Sequence, residues 1–200
     1  MTHAELTRFF RHAADYPAAT RNLRNALING IEMHEAAVLL AVVFRERQWQ
    51  VLLTRRTTTL PHHPGQVAFA GGRRDEGDTD LTHTALRETA EETGITAGYW
   101  QTFPPLPPYF TPSGYTVSPV PALSTTNPPV YPNADEVDEV FYLPLDFALD
   151  KKLYRRRDFS HNGQTVSTPF LPYLHYDIWG MTAMILYDLA ERYEQHRAYG

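Results

Sequence analysis

Hydrophobic residues along the chain change their spacing several times, and each change predicts a new element. Near the start, residues Ala4 to Tyr16 place apolar side chains on one side of a short amphipathic helix: Leu6, Phe9, Phe10 and Ala13. A near-continuous apolar run from Glu35 to Arg45 then predicts a strand buried on both faces. A polar turn, Arg45 to Gln48, separates it from a second strand, Trp49 to Thr54, so the pair is expected to form a hairpin.

The second half of the chain alternates between strand and helix patterns. Residues Leu81 to Thr93 lack Pro and Gly and predict a helix, with Asp78 or Asp80 as its cap and Gly94 at its end. A strand is predicted at Tyr115 to Val120, and another around Val140 with a short helix after Pro144. A strand pair follows at Tyr154–Ser160 and Pro169–Tyr176, joined by a turn at Asn162-Gly163. The last predicted element is a long helix from Asp177 to Gln195. We expect residues 1–30 to be an N-terminal helix with its connection and residues 31–200 to be one domain that includes the C-terminal helix.

Composition narrows the class of protein. The chain has 200 residues, 42% of them hydrophobic, which suits a globular domain with a sizeable core. Its net charge of −5 argues against a broad nucleic-acid surface. No apolar stretch approaches about 18 residues, so no membrane span is predicted. The sequence contains no cysteine, which excludes disulfides and thiolate zinc sites, and with no signal peptide visible the cytoplasm is the expected location.

The helix at Leu81 to Thr93 carries a crowded acidic group. Glu88 and Glu92 lie roughly 40° apart on one face, with Glu91 beside them. Like charges at this spacing destabilise a helix, and a divalent cation would remove the repulsion, since Mg²⁺ prefers carboxylate oxygens together with substrate phosphate. Arg87 is placed to pair with Glu91, which leaves Glu88 and Glu92 for the metal. A solvated acidic face is the alternative interpretation.

The stretch between the second strand and this helix is a loop with a basic and polar composition. It contains Arg55, Arg56, His63 and Gln66, with backbone freedom at Gly65, and this set suits phosphate and base contacts. An ordinary surface loop would also fit this composition. The neighbouring pair His62-His63 does not favour zinc, because adjacent side chains rarely point at one ion and no third ligand lies at a suitable spacing.

The segment from Gly71 to Ile95 resembles the box of the Nudix family, G-x5-E-x7-R-E-U-x-E-E-x-G-U with U apolar. The matching residues are Arg87, Glu88, Glu91, Glu92, Gly94 and Ile95. Thr89 stands at an apolar place, and the loop from Gly72 to Arg87 is one residue longer than the pattern, with Asp78 nearest the first glutamate's place.

The preceding residues are similar to the signature of the coenzyme A diphosphatase branch of that family, roughly L-L-T-x-R-[SA]-x3-R-x3-G-x3-F-P-G-G. The residues that match at full spacing are Leu52, Leu53, Thr54, Arg56, Gly65, Phe69, Gly71 and Gly72. Three residues depart from it: Thr57 replaces a small residue, Pro61 the second arginine and Ala70 a proline. Signature and box together cover Leu52 to Ile95 without a gap.

The resemblance implies the Nudix α/β/α sandwich, with a mixed β-sheet and a loop-helix-loop that carries the box. It also implies Mg²⁺ or Mn²⁺ bound by Glu88 and Glu92 with Glu91 in support, Arg87 orienting Glu91, and a base that is either Glu136 or Glu88. Glu136 could equally be a charged residue that only precedes a strand. The resemblance further implies that the substrate is bound by a set of residues before the helix: Arg56, His63, Gly65, Gln66, Phe69, Gly71 and Gly72.

The implied substrate is coenzyme A or an acyl-coenzyme A, a small molecule rather than a nucleic acid or a membrane. NADH, ADP-ribose, an altered nucleoside triphosphate, or a non-catalytic sensor role remain as alternatives. The N-terminal helix is expected to pack on the domain or on a partner. If the partner is a second copy of the chain, the protein would be a homodimer.

Overall fold

A twelve-residue strand, β1 (His34–Arg45), lies at the centre of the molecule. The computed structural model describes residues 1–18, 33–59, 64–161 and 164–199. β1 pairs antiparallel with β2 (Gln48–Arg56) on one side and parallel with β7 (Tyr115–Ser124) on the other. The predicted hairpin is confirmed, and its turn places Glu46 (φ 53°) and Arg47 (φ 63°) in the left-handed region that two-residue hairpin turns require.

Short strands extend this mixed sheet around β1, β2 and β7. β3 (Val67–Ala68) and β8 (Val137–Pro144) pair with β2, whereas β4 (Gly71–Arg73) pairs with β1. β5 (Gln101–Thr102) and β6 (Tyr109–Phe110) pair with β7. Because β4 pairs with β1, the glycine pair Gly71-Gly72 lies at the central strand.

Helices cover both faces of the sheet, as the α/β/α prediction required. Leu39 and Ala41 of β1 pack on the side of α2 (Leu81–Thr93), whereas Leu40 and Val42 belong to the cluster on the opposite face. That opposite cluster also contains residues of α1 (His3–His12), α3 (Leu145–Leu149) and α4 (Gly180–Tyr199). β1 is thus buried on both faces, which explains its continuous apolar sequence.

The N-terminal helix packs on the domain itself. Thr2 and Glu5 form a capping box that begins α1, and the predicted apolar side is buried through Leu6, Phe9 and Phe10. Arg192 of α4 donates to the carbonyl of Ala13 at 2.8 Å just beyond the end of α1. The predicted connection Pro17 to Gly30 lies outside the described residues from position 19 onward.

The C-terminal quarter differs from the prediction at several strand and helix boundaries. The second strand of the predicted pair is two strands, β10 (Gln164–Tyr173) and β11 (Tyr176–Ile178), and β9 (Arg155–His161) pairs with β10. The long helix begins at Gly180 (φ 62°) rather than at Asp177. The helix was predicted to begin too early because Ile178 is buried in the same core as the helix and so fits its apolar side, although its backbone pairs with Leu171 in the strands.

The turn predicted at Asn162-Gly163 lies outside the described residues. Within the described ranges, no helix combines the length and the apolar character needed to cross a membrane.

Candidate active site

Helix α2 has the bounds that the sequence predicts, because both ends are fixed locally. Asp80 caps the start by accepting from the backbone N–H of His83 at 2.8 Å. Gly94 ends the helix in the left-handed conformation (φ 75°), with its N–H on the carbonyl of Ala90. The carboxylates of Glu88, Glu91 and Glu92 therefore lie on a helix of defined length and register.

Asp78 forms a buried ion pair with Arg87. The Asp78 side chain is only 1% exposed and accepts from Arg87 Nε at 3.1 Å and Nη2 at 3.0 Å. It also accepts from the Thr84 hydroxyl at 2.9 Å and from the Asp75 backbone N–H at 3.0 Å. The Arg87 guanidinium, with these further donors, holds the pKa of the Asp78 carboxyl far below its ordinary value. Asp78 therefore fastens the loop before α2 to the helix.

Arg87 reaches two of the helix carboxylates as well. Its Nη1 lies 3.1 Å from Glu91 Oε2, which is the predicted i,i+4 pair, and 3.0 Å from Glu88 Oε1. Its Nη2 donates to the carbonyl of Arg73 at 3.0 Å. The sequence predicts that Arg87 would leave Glu88 free, but the structure shares the guanidinium between Glu88 and Glu91. Glu91 is 55% exposed and lies on the outer side of this group.

The glycine pair lies directly against Glu88 and Glu92. The backbone N–H of Gly71 donates to Glu92 Oε1 at 3.4 Å. A Cβ at Gly72 would lie 2.4 Å from Glu88 Cδ, and one at Gly71 would lie 2.3 Å from the carbonyl oxygen of Ala37. A Cβ at Gly71 would collide with fixed backbone, whereas one at Gly72 would displace only the Glu88 carboxylate, so glycine at both positions keeps this contact in place.

Three carboxylates share one partly buried region. The pKa of Glu92 is raised to about 7, mainly by burial; the negative charges of Glu136 and Glu88 contribute to this rise, whereas Gly71 N–H and Arg56 oppose it. Burial likewise raises the pKa of Glu88, where Arg87 opposes the effect and Glu91 and Glu136 add to it. Glu136 is thus an electrostatic neighbour of both helix glutamates, although it lies on a distant part of the chain.

The end of strand β2 positions Glu136. The backbone N–H of Thr57, just past β2, donates to the carbonyl of Glu136 at 3.0 Å. β2 and β8 pair along their length, with a register shift between Arg55 and Arg56, and the residues that precede β8 lie against the end of α2, where Asn133 N–H donates to the carbonyl of Glu92 at 3.0 Å. This placement favours the interpretation of Glu136 as part of the site over that of a charge that only precedes a strand.

Neighbouring arginines on β2 have different surroundings. The positive charge of Arg56 opposes the pKa rise of Glu92, so Arg56 lies within electrostatic reach of that carboxylate, and its buried Nε, like that of Arg55, has no hydrogen-bond partner among the described residues. Arg55 instead pairs with Asp138 at 2.6 Å and with Glu139 at 3.2 Å. Arg56 is therefore the β2 cation available to a ligand at the carboxylates.

The other predicted substrate residues are placed differently from one another. Gly65 has φ 69°, and the carbonyl of Gln66 accepts from Arg56 N–H at 3.0 Å, so both lie at the loop beside β2. The Phe69 side chain is 4% exposed and packs in the core, so the structure does not bring it to the carboxylates. His63, together with Pro61, lies outside the described residues.

The donor set of this region fits a hard divalent cation. Glu88 and Glu92 offer carboxylate oxygens, and a cation beside them would offset the burial and mutual repulsion that raise both pKa values. In the described parts of the chain, no group of three or more His, Asp or Glu side chains is gathered as a metal cage. Mg²⁺ is commonly held by one or two carboxylates together with substrate phosphate and water.

The sequence predicts the role of one residue at this site only in part, and that of another not at all. Asp78 was predicted as a helix cap or as the counterpart of a glutamate, but it is the buried partner of Arg87. Its position near the box's first acidic place was the available signal. Asn133, which contacts Glu136 three residues further along the chain, was not predicted, and its contact with the carbonyl of Glu92 joins residues that are far apart in the sequence.

Comparisons with known proteins agree with this geometry. Residues 33–162 match the NUDIX domain family. A protein of Escherichia fergusonii named "Uncharacterized Nudix hydrolase NudL" is 38% identical over 157 residues, which cover 78% of this chain and 82% of that protein. A protein of the same name from Yersinia pestis (strain Pestoides F) is 40% identical over 157 residues, 78% of each chain.

Solved structures share the fold. The MutT protein from Methanosarcina mazei Go1 superposes with a TM-score of 0.53 at 18% identity, covering 85% of this chain and 99% of that one. The Nudix hydrolase RenU from M. smegmatis superposes with a TM-score of 0.50 at 24% identity, covering 60% and 81%. At these identities the likeness concerns the fold alone.

Proposed function

This chain belongs to the Nudix hydrolase family, whose members act on pyrophosphate bonds, and from that premise we propose that it hydrolyses the diphosphate bond of coenzyme A or an acyl-coenzyme A. The products would be adenosine 3',5'-bisphosphate and 4'-phosphopantetheine or its acylated form. The observation that carries this choice of substrate is the signature from Leu52 to Gly72, which resembles that of coenzyme A diphosphatases and runs without a gap into the box.

Nudix hydrolases generally use divalent metal ions, and we propose Mg²⁺ or Mn²⁺ here. Glu88 and Glu92 would hold the ion, with Glu91 in support through the arginine that it shares with Glu88. When bound, the ion would neutralise charge on the diphosphate and lower the pKa of a coordinated water. Because Glu88 and Glu92 lie against Gly72 and Gly71, the backbone of this glycine pair would line the phosphate side.

The protein's own groups would orient and deprotonate the attacking water. Its oxygen forms a bond to one phosphorus, the bridging P–O bond breaks, and the released phosphate group carries the electron pair of that bond. Glu136 or Glu88 would accept the water's proton, a role that contributes about 10²- to 10⁴-fold in rate. Arg56 would contact the phosphates, and this is supported by the effect of its charge on the Glu92 carboxylate.

The test is product analysis with competing substrates. The purified protein is incubated with Mn²⁺ and, separately, with coenzyme A, NADH, ADP-ribose and an altered nucleoside triphosphate, and the products are separated by chromatography. We expect coenzyme A to be cleaved fastest, giving the two phosphorylated halves. Faster cleavage of another substrate would overturn the coenzyme A assignment and leave the family's activity in place. Binding of these nucleotides without turnover would favour the sensor alternative.

A further inference from the structure

The segment that precedes β8 is attached to the last turn of α2. Tyr131 N–H donates to the carbonyl of Thr93 at 2.8 Å, and Asn133 N–H donates to the carbonyl of Glu92 at 3.0 Å. These carbonyls are among the last four of the helix and have no partner within it. Gly94 permits the close approach, since a Cβ there would lie 2.9 Å from Tyr131 Cβ. The backbone of Asn133 is therefore joined to the residue that carries the most buried carboxylate of the site.

Asn133 also turns the chain back toward that carboxylate. Its carbonyl accepts from the N–H groups of Glu136 at 3.0 Å and Val137 at 2.8 Å. Its side-chain oxygen accepts from Asp135 N–H at 3.2 Å, which is an Asx turn. Its side-chain amide donates to Glu136 Oε1 at 3.5 Å. One residue thus links Glu92 through its backbone and the Glu136 carboxylate through its side chain.

This arrangement matters because Glu136 needs an external constraint. A glutamate side chain has several rotatable bonds, and fixing it costs conformational entropy that a hydrogen bond can offset. Glu136 is only half-buried, and among the described residues Asn133 is the side chain whose hydrogen bond to the Glu136 carboxylate is seen.

We propose that Asn133 is a positioning residue for hydrolysis: its side-chain amide holds the Glu136 carboxylate beside Glu88 and Glu92 without touching substrate. The inference rests on the proposed function, in which Glu136 is one of two candidate bases. The competing role is purely structural, in which Asn133 only shapes the turn.

Two substitutions separate these roles. Asn133→Asp keeps an oxygen acceptor for Asp135 N–H but replaces the amide donor, whereas Asn133→Ala removes both. With coenzyme A and Mn²⁺, we expect Asn133→Asp to lower kcat by about 10-fold or more, with KM and the melting temperature little changed. If Asn133 only shapes the turn, Asn133→Asp will match wild type and Asn133→Ala will lose stability and activity together. Asn127→Asp, the same change at an exposed position of the segment that precedes β8, is the control and should have no effect.

A double-mutant cycle tests whether the effect passes through Glu136. Glu136→Gln alone should lower kcat by about 100-fold if Glu136 is the base. On that background, Asn133→Asp should cost little more, because the carboxylate that it orients is already gone. Fully additive losses would mean that Asn133 acts independently of Glu136, and this would overturn the inference. If Asn133→Asp does not fold, Asn133→Ser, which keeps a hydroxyl acceptor for the turn, takes its place.

A readout without turnover separates this inference from the proposed function. The side-chain amide resonances of Asn133 can be assigned in a ¹H–¹⁵N spectrum by their loss in the Asn133 variant. We expect Glu136→Gln to shift them and the Asn127→Asp control to leave them in place. Unshifted resonances would overturn the inference whatever the substrate is. A wild-type protein that leaves coenzyme A intact would instead count against the proposed function alone.

Discussion

The guanidinium of Arg87 contacts the carboxylate of Asp78 at two points, with Nε 3.1 Å from Oδ1 and Nη2 3.0 Å from Oδ2. The same guanidinium lies 3.0 Å from Glu88 Oε1. Asp78 therefore fixes the Arg87 guanidinium, which in turn positions Glu88, a proposed metal ligand. The loop before α2 thus acts on the site through its fold rather than through contact with substrate.

We expect Asp78→Asn to destabilise the protein by about 2–3 kcal/mol, because it leaves the partly buried Arg87 without its main counter-charge. For a domain of this size, that corresponds to a fall in Tm of roughly 5–10 °C. Asp75→Asn is the matched control, since Asp75 is 68% exposed and lies 3.7 Å from Arg87. Its effect should stay within about 0.5 kcal/mol. Equal effects of the two substitutions in thermal unfolding would contradict a special role of Asp78.

The same ion pair predicts a loss of stability in acid. In the unfolded chain the Asp78 carboxyl takes up a proton at about pH 4, whereas in the folded protein its lowered pKa means that protonation needs a lower pH. In between, the unfolded chain binds more protons, so the free energy of unfolding falls as the pH falls through this window. Asp78→Asn should lose less on acidification than wild type. Urea unfolding of both proteins between about pH 7 and pH 3 checks this, and parallel curves would argue against it.

Glu92→Gln should lower turnover by about 100-fold or more, because the neutral amide is a far poorer ligand for a hard cation. The protein should remain folded, since the substitution removes a charge that burial disfavours. Mn²⁺ should raise the Tm of wild type but not of the variant, as expected for a ligand that binds the folded state. Glu76→Gln, at an exposed loop position, is the control. Unchanged turnover in Glu92→Gln would refute the metal assignment.

Arg56→Ala should raise KM for the diphosphate substrate more than it lowers kcat, because a phosphate contact made in both the ground state and the transition state changes binding alone. Arg55→Ala is the neighbouring control, since the Arg55 guanidinium is already paired with Asp138 and Glu139. It should leave KM close to the wild-type value. Steady-state kinetics of both variants decide the matter, and a dominant fall in kcat for Arg56→Ala would mean that it acts on the transition state.

Gly72→Ala should remove most activity at little cost in stability. Its Cβ would lie 2.4 Å from Glu88 Cδ, at the far end of a flexible side chain, so Glu88 can move away while the fold remains. The displaced carboxylate would then no longer hold the metal. Gly77→Ala is the control, because a Cβ there meets nothing within 4 Å. An active Gly72→Ala with weakened folding would show that the contact is structural only.

Local features of the sequence determined much of the fold. Leu81 to Thr93 forms the predicted helix because its cap, Asp80, and its terminal glycine, Gly94, act within a few residues of each end. The central hairpin followed from the apolar run of β1 and the polar turn after it. The family membership was also readable, since the box and the preceding signature depend only on residue type and spacing.

The tertiary structure decided which of these residues meet. The pairing of β2 with β8 brings Glu136 beside Glu88 and Glu92, and periodicity along the chain carries no information about that pairing. The buried contact between Asp78 and Arg87 and the docking of Asn133 on the end of α2 arise in the same way. Short-range patterns specify caps, turns and buried faces because these depend on neighbouring residues. The composition of the site depends instead on how strands far apart in sequence pair within one sheet.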